Sequence, residues 1–107
     1  MDDLPLLIRE HIEKAYADER GRSAHLLIHQ GPLRQTIIAL TSGSALDEHE
    51  APTAASLQVL YGGVCITTAD GEETKLGLGQ LHEIPQARHS LAATDDAVVL
   101  LTAVTET

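Results

Sequence analysis

Six histidines carry most of the chemistry this sequence could perform, at His11, His25, His29, His49, His82 and His89. An imidazole changes charge near neutral pH and offers a lone pair. Histidines brought together can therefore hold a divalent metal, or work as acid and base. His49 lies in "ALDEHEAPTAASLQVLYGG" and His89 in "GQLHEIPQARHSLAATDD". Asp47 stands two residues before His49, on the same face if that segment is extended. Asp47, His49 and His89 would then make a two-histidine, one-carboxylate set, which suits Fe(II) with open positions. The acidic run "LDEHE" reads more simply as an ordinary solvated turn. His25 and His29, in "SAHLLIHQG", are four apart on a candidate strand and so share a face. His25 precedes an apolar run, which makes it a candidate for the interior beside His49. His11 falls among charged residues and reads as a solvated surface histidine. His82, beside Glu83, reads as part of a polar exterior.

Other reactive groups are sparse. No hydroxyl or thiol stands out as a nucleophile activated by an adjacent base. Cys65 is the only cysteine, which excludes an internal disulfide, and in "GVCITT" it reads as a small buried hydrophobe. "GLG" at 77–79 neither opens a helix nor carries the lysine of a phosphate-binding loop.

The elements that must position the histidines are legible. In "DLPLLIREHIEKAYAD", residues 3 to 18, apolar positions at Leu4, Leu7, Ile8, Ile12, Ala15 and Tyr16 have helical spacing. Asp3 serves as the N-cap, Pro5 sits in the first turn and Gly21 is the expected stop. After Gly21 come short runs rich in β-formers, parted by turn residues. They are "SAHLLIH", "LRQTIIALT", "ALDEH", "SLQVLY", "VCITTA", "TKLGLG", "LHEIP", "RHSLAA" and "AVVLLTAV". Asp70-Gly71 suits the positive φ angles of a tight hairpin. One helix followed by strands alone implies an antiparallel sandwich or closed barrel and excludes βαβ folds. The division expected is a helix over 1–20 and a β-barrel over 21–107, in a single domain.

At this point the sequence resembles the cupin family of jelly-roll barrels. That family's first motif runs Gly, five residues, His-x-His, three or four residues, Glu, six residues, Gly. Here Gly43, His49 and Gly62 fall in register, while Ala51 takes the second histidine place and Ala55 the glutamate place. In the second motif Gly79 and Pro85 match, Ala87 stands for a glycine, and His89 arrives one residue early. The resemblance implies an all-β, double-stranded β-helix fold with one short N-terminal helix. It implies a metal site of three histidines and one glutamate facing the barrel, of which two places here are alanines. His49 and His89 would face each other across the cavity. Gln58 is a weaker candidate ligand, since alternation sets it opposite Ala55.

Two functions follow. One is a binding module whose central pocket, lined by His49, His89, His25, Leu57 and Val59, holds a small molecule. The other is a metal-dependent enzyme, dioxygenase-like or isomerase-like, using His49 and His89 with a third ligand from Asp47 or His25. Its metal would be iron, manganese, zinc or nickel. Two imidazoles alone hold a divalent metal weakly, because established sites use three or four protein ligands.

Acidic residues number 16 against 7 basic ones, for a net charge of −9. Such a surface repels phosphate backbones and anionic lipids, which argues against nucleic acid and membranes. The N-terminus lacks the basic start and apolar stretch of a signal peptide, so a cytoplasmic location is expected. Apolar residues on both faces of "SLQVLY" and "AVVLLTAV" exceed what a small interior can cover. A homodimer, which the resemblance also implies, would cover them.

Overall fold

The structure, a computed structural model, describes residues 1–49 and 54–105, with 47–49 as backbone. Among the described residues a helix, α1 (Leu4–Ala17), precedes nine strands. These are β1 (Arg22–Gln30), β2 (Leu33–Leu40), β3 (Ala45–His49), β4 (Ala54–Tyr61), β5 (Gly63–Thr68), β6 (Glu73–Gly77), β7 (Leu81–Glu83), β8 (His89–Ala93) and β9 (Ala97–Val104). Each run of β-formers in the sequence becomes one strand.

The strands form two antiparallel sheets. One has the order β1-β2-β9-β4-β7 and the other β3-β8-β5-β6. The inward faces meet in one core. Ile38, Leu40, Leu57, Val59, Ala97 and Val99 come from the first sheet, and Val64, Ile66, Leu76, Leu91 and Ala93 from the second. Inward residues recur at every second position, as the pleat requires. The fold is thus the all-β jelly roll that the sequence implied.

Asp3 caps α1, its carboxylate accepting from the Leu6 N–H at 3.3 Å. The helix ends at Ala17, earlier than the Gly21 stop expected from sequence. The reason is local: Asp18 turns extended, and its carboxylate accepts from the N–H groups of Arg20 and Arg22. These bonds draw the backbone out of helical geometry.

A second apolar cluster lies outside the barrel. Ile37, Ala39 and Val98 face outward from the five-stranded sheet and are buried beneath Ala15, with Leu7, Ile8 and Ile12 packed around them. Burying each of the larger side chains contributes about 1.5–3 kcal/mol. The surplus strand surface that sequence reasoning assigned to a second subunit is therefore covered in part by α1 of the same chain.

Gly62, a motif glycine, has φ of 71°, and a Cβ there would lie 2.0 Å from the Asp96 carbonyl oxygen. Only glycine fits this corner. Among the described residues, no helix is long and apolar enough to cross a membrane.

Candidate functional site

β8 lies between β3 and β5, so its backbone is hydrogen-bonded on both sides. Its burial alternates, with His89, Leu91 and Ala93 directed inward. His89 is thereby carried into the barrel, where it is 4% exposed. Its Nδ1 lies 2.9 Å from the Ala87 carbonyl oxygen. A carbonyl can only accept, so Nδ1 is the donor in this contact. Ring nitrogens that ligate metals or take protons are commonly oriented in this way.

His89 borders a cavity of about 30 Å3 whose other walls are Ile38, Leu46, Leu57, Ile66, Ile84, Leu91 and Leu101. A water needs roughly 10–15 Å3 by this measure. The interior is thus nearly filled by its own aliphatic side chains, with one imidazole at the edge of a small void. Of the pocket residues expected from sequence, Leu57 lines this void with His89. Val59 is fully buried in the same core but lies away from the cavity wall.

His49 is the register partner of His89 in the β3–β8 ladder. The two are thus neighbours within one sheet rather than residues facing each other from opposite walls. Directly opposed residues share a face of their sheet, so the backbone sets position 49 on the face that His89 occupies. Between Leu46 and His49 the register shifts: Leu46 pairs with Leu91 and His49 with His89, leaving an extra residue in β3. That irregularity interrupts the alternation on which the placement of Asp47 beside His49 relied. The side chains of Asp47 and His49 lie outside the described structure, as does Ala51.

Ala55, at the glutamate place, packs against the barrel core. The fold therefore directs that position inward, where it presents only a methyl group. Among the described residues, no three His, Cys, Asp or Glu side chains gather closely enough to hold a metal ion. The three-histidine, one-glutamate set does not fit this chain. Gln58 pairs with Leu100 on the outer face, away from the interior.

His25 is not in the pocket. It pairs with Ile37, an outward residue, and its ring stacks on His11 with centroids 6.0 Å apart. Nor do His25 and His29 share a face. The register shifts between Leu26 and Ile28, so His29 pairs with Arg34, three positions rather than four from Ile37. A single bulge reversed the alternation. His11, expected at the surface, is 4% exposed under α1. His82, expected outside, is half-buried opposite Leu57 on the inward register of the edge strand β7.

Sequence reasoning missed most of the cavity wall. Alternation from His89 to Leu91, and from Leu57 to Val59, was the available signal. Nothing local tied Ile38, Ile66 or Leu101 to the same space. Cys65 is buried, as expected, with its thiol 3.6 Å from a Glu73 carboxylate oxygen.

No family model matches the chain, and no curated protein matches it. Solved structures do match. A conserved protein of unknown function from Streptococcus pyogenes superposes with a TM-score of 0.73 at 25% identity, over 84% of this chain and 79% of its own. A cupin superfamily protein from Desulfitobacterium hafniense gives 0.72 at 16% identity, over 79% of this chain and 78% of its own. A salicylate 1,2-dioxygenase variant from Pseudoaminobacter salicylatoxidans gives 0.79 at 16% identity, over 92% of this chain but 32% of its own. The last two likenesses are of fold alone.

Proposed function

Starting from a chain that folds as a small cupin domain, we propose that it binds a small molecule at the His49–His89 end of the barrel without a resident metal. The observation that carries this reading is the placement of His89: a buried, oriented imidazole at the edge of an otherwise aliphatic void. The alanine at position 55 supports the metal-free form, because it removes a donor from an inward position. The void is far below the roughly 300–1,000 Å3 of a pocket that encloses a whole drug-sized ligand. The ligand therefore seats only a compact apolar tip in the barrel and presents its polar group to the histidine pair. A soluble homodimer in the cytoplasm completes the proposal. The unpaired Cys65 and the apolar surface still exposed at Leu26 and Ile28 support it.

A metal-dependent reading draws on one observation, the Nδ1-to-carbonyl contact of His89, which resembles the second-shell support of ligating histidines. Elemental analysis of protein purified without a histidine tag separates the two. The expected result is no stoichiometric iron, manganese, zinc or nickel. A panel of small acids, alcohols and sugars is then screened by thermal shift, where a binder raises Tm with concentration. The shift should vanish in His89→Leu. Stoichiometric metal lost on His49→Ala would overturn the proposal, as would a ligand shift unaffected by changing both histidines.

A further inference from the structure

Among the described residues, His11 is one of two polar or charged side chains that the fold buries, and the barrel site does not use it. It projects from the middle of α1 toward β1. There its Nδ1 lies 2.8 Å from the Ser23 hydroxyl, and its ring stacks on His25 at an interplanar angle of 22°. The same face of α1 covers Ile37, Ala39 and Val98, the outward apolar residues of β2 and β9. The imidazole is thus built into the seam that keeps the helix on the sheet.

We propose that His11 is an acid-sensitive latch: neutral, it holds α1 on the outer face of the five-stranded sheet, and protonated, it loosens the helix and uncovers that face. A positive charge here must be buried, must sit against a second imidazole and lies one helical turn from the Lys14 ammonium. Within α1, Glu10 is the group that favours the charge, and Lys14 opposes it. From β1 the titratable group in contact is His25, which also opposes it. β2 and β9 contribute Ile37, Ala39 and Val98 to this seam, none of which titrates. The balance holds the His11 ring below its ordinary 6.5, with burial the largest cause, then Lys14, then His25.

The sign follows from linkage. A base whose folded pKa is depressed binds more protons in the open state than in the closed one. The closed state is therefore favoured at pH above 6.5 and loses ground as pH falls from there through the folded value. At the far end of α1, Tyr16 donates a hydrogen bond to the Asp96 carboxylate. That carboxyl lies below the ordinary carboxylate range, so this tether survives the pH range in which His11 takes up its proton. The helix hinges from its C-terminal end.

The test is a titration of the intact protein between pH 7.5 and 5.0, followed by NMR of the histidine rings and α1 amides and by binding of an apolar dye. The expected course is joint: α1 amide signals move, dye fluorescence rises, and both follow protonation of the His11 ring. Tm should fall by about 4–8 °C, the range in which a modest loss of stability appears for a domain of this size. His11→Gln, which retains a hydrogen-bonding side chain, should remove the pH dependence of dye binding. Should that variant fold poorly, His25→Gln serves instead, and the His11 midpoint should then rise because an opposing charge is gone. A His11 ring that titrates while α1 amides and dye binding stay constant overturns the proposal. So does a dye response that persists in His11→Gln.

Discussion

His49 and His89 are direct partners in the ladder between β3 and β8, one imidazole-bearing position from each half of the barrel sequence. The pairing brings together the two histidines that lie nearest the ligand positions of the cupin motifs. It does so within a single sheet, beside a void walled by leucines and isoleucines.

His89 should be expendable for stability but not for binding. Truncation by His89→Ala leaves the space empty and the Ala87 carbonyl without its donor, at a cost of about 1–3 kcal/mol. His89→Leu fills the void with apolar atoms and should recover most of that loss. Urea unfolding of the two variants measures the difference; equal destabilisation by both would mean that the Nδ1 bond, rather than packing, governs the position.

The two apolar clusters should behave as separate energetic units. Leu57→Ala and Ile37→Ala each remove a fully buried aliphatic group and should cost about 2–5 kcal/mol. Ile8 shares a cluster with Ile37 and not with Leu57. Double-mutant cycles should therefore give a coupling of about 0.5–3 kcal/mol for Ile8 with Ile37, and values within about 0.5 kcal/mol of zero for Ile8 with Leu57. Strong coupling of the latter pair would contradict the two-cluster division.

Gly62→Ala should be among the most damaging single-methyl additions in the chain. The positive φ and the Asp96 carbonyl 2.0 Å away both oppose it, and the strain alone is worth about 1–3 kcal/mol. The comparison is Gly71→Ala. That position also has positive φ, but an added Cβ would meet nothing within 4 Å. Thermal melts should rank Gly62→Ala well below Gly71→Ala.

Asp96 should shape the acid limb of the stability curve. The Tyr16 hydroxyl first, and the Ser42 N–H second, hold its carboxyl below the ordinary 3.8. A depressed folded pKa means that the contribution is present above pH 3.8 and lost as pH falls through the folded value. Asp96→Asn should therefore narrow the difference in urea midpoint between pH 6 and pH 3. An unchanged difference would show that the carboxylate is not linked to folding.

The residues most readable in sequence were those governed by their neighbours. The helix start at Asp3, the β5–β6 hairpin, in which Gly71 takes the positive φ and Asp70 does not, and each strand followed from caps, turns and alternation, which act over a few residues. Two bulges defeated the same reasoning. One, at Leu27, set His25 and His29 on opposite faces; the other, between Leu46 and His49, interrupts the alternation from which the company of Asp47 was read. A bulge inserts one residue and inverts every side chain beyond it, and no residue type marks it in advance.

The sequence by itself determined the elements and the apolar stripes they carry, because propensity and periodicity are properties of contiguous residues. Which side chains share a space was decided only by the tertiary structure. His11, charged in its sequence surroundings, is buried because α1 packs on the outer sheet, and His89 meets a void built from six different strands and the segment after β7. Strand order and register join residues far apart along the chain, and that long-range pairing set His49 opposite His89 in one ladder and stacked His25 on His11 beneath the helix.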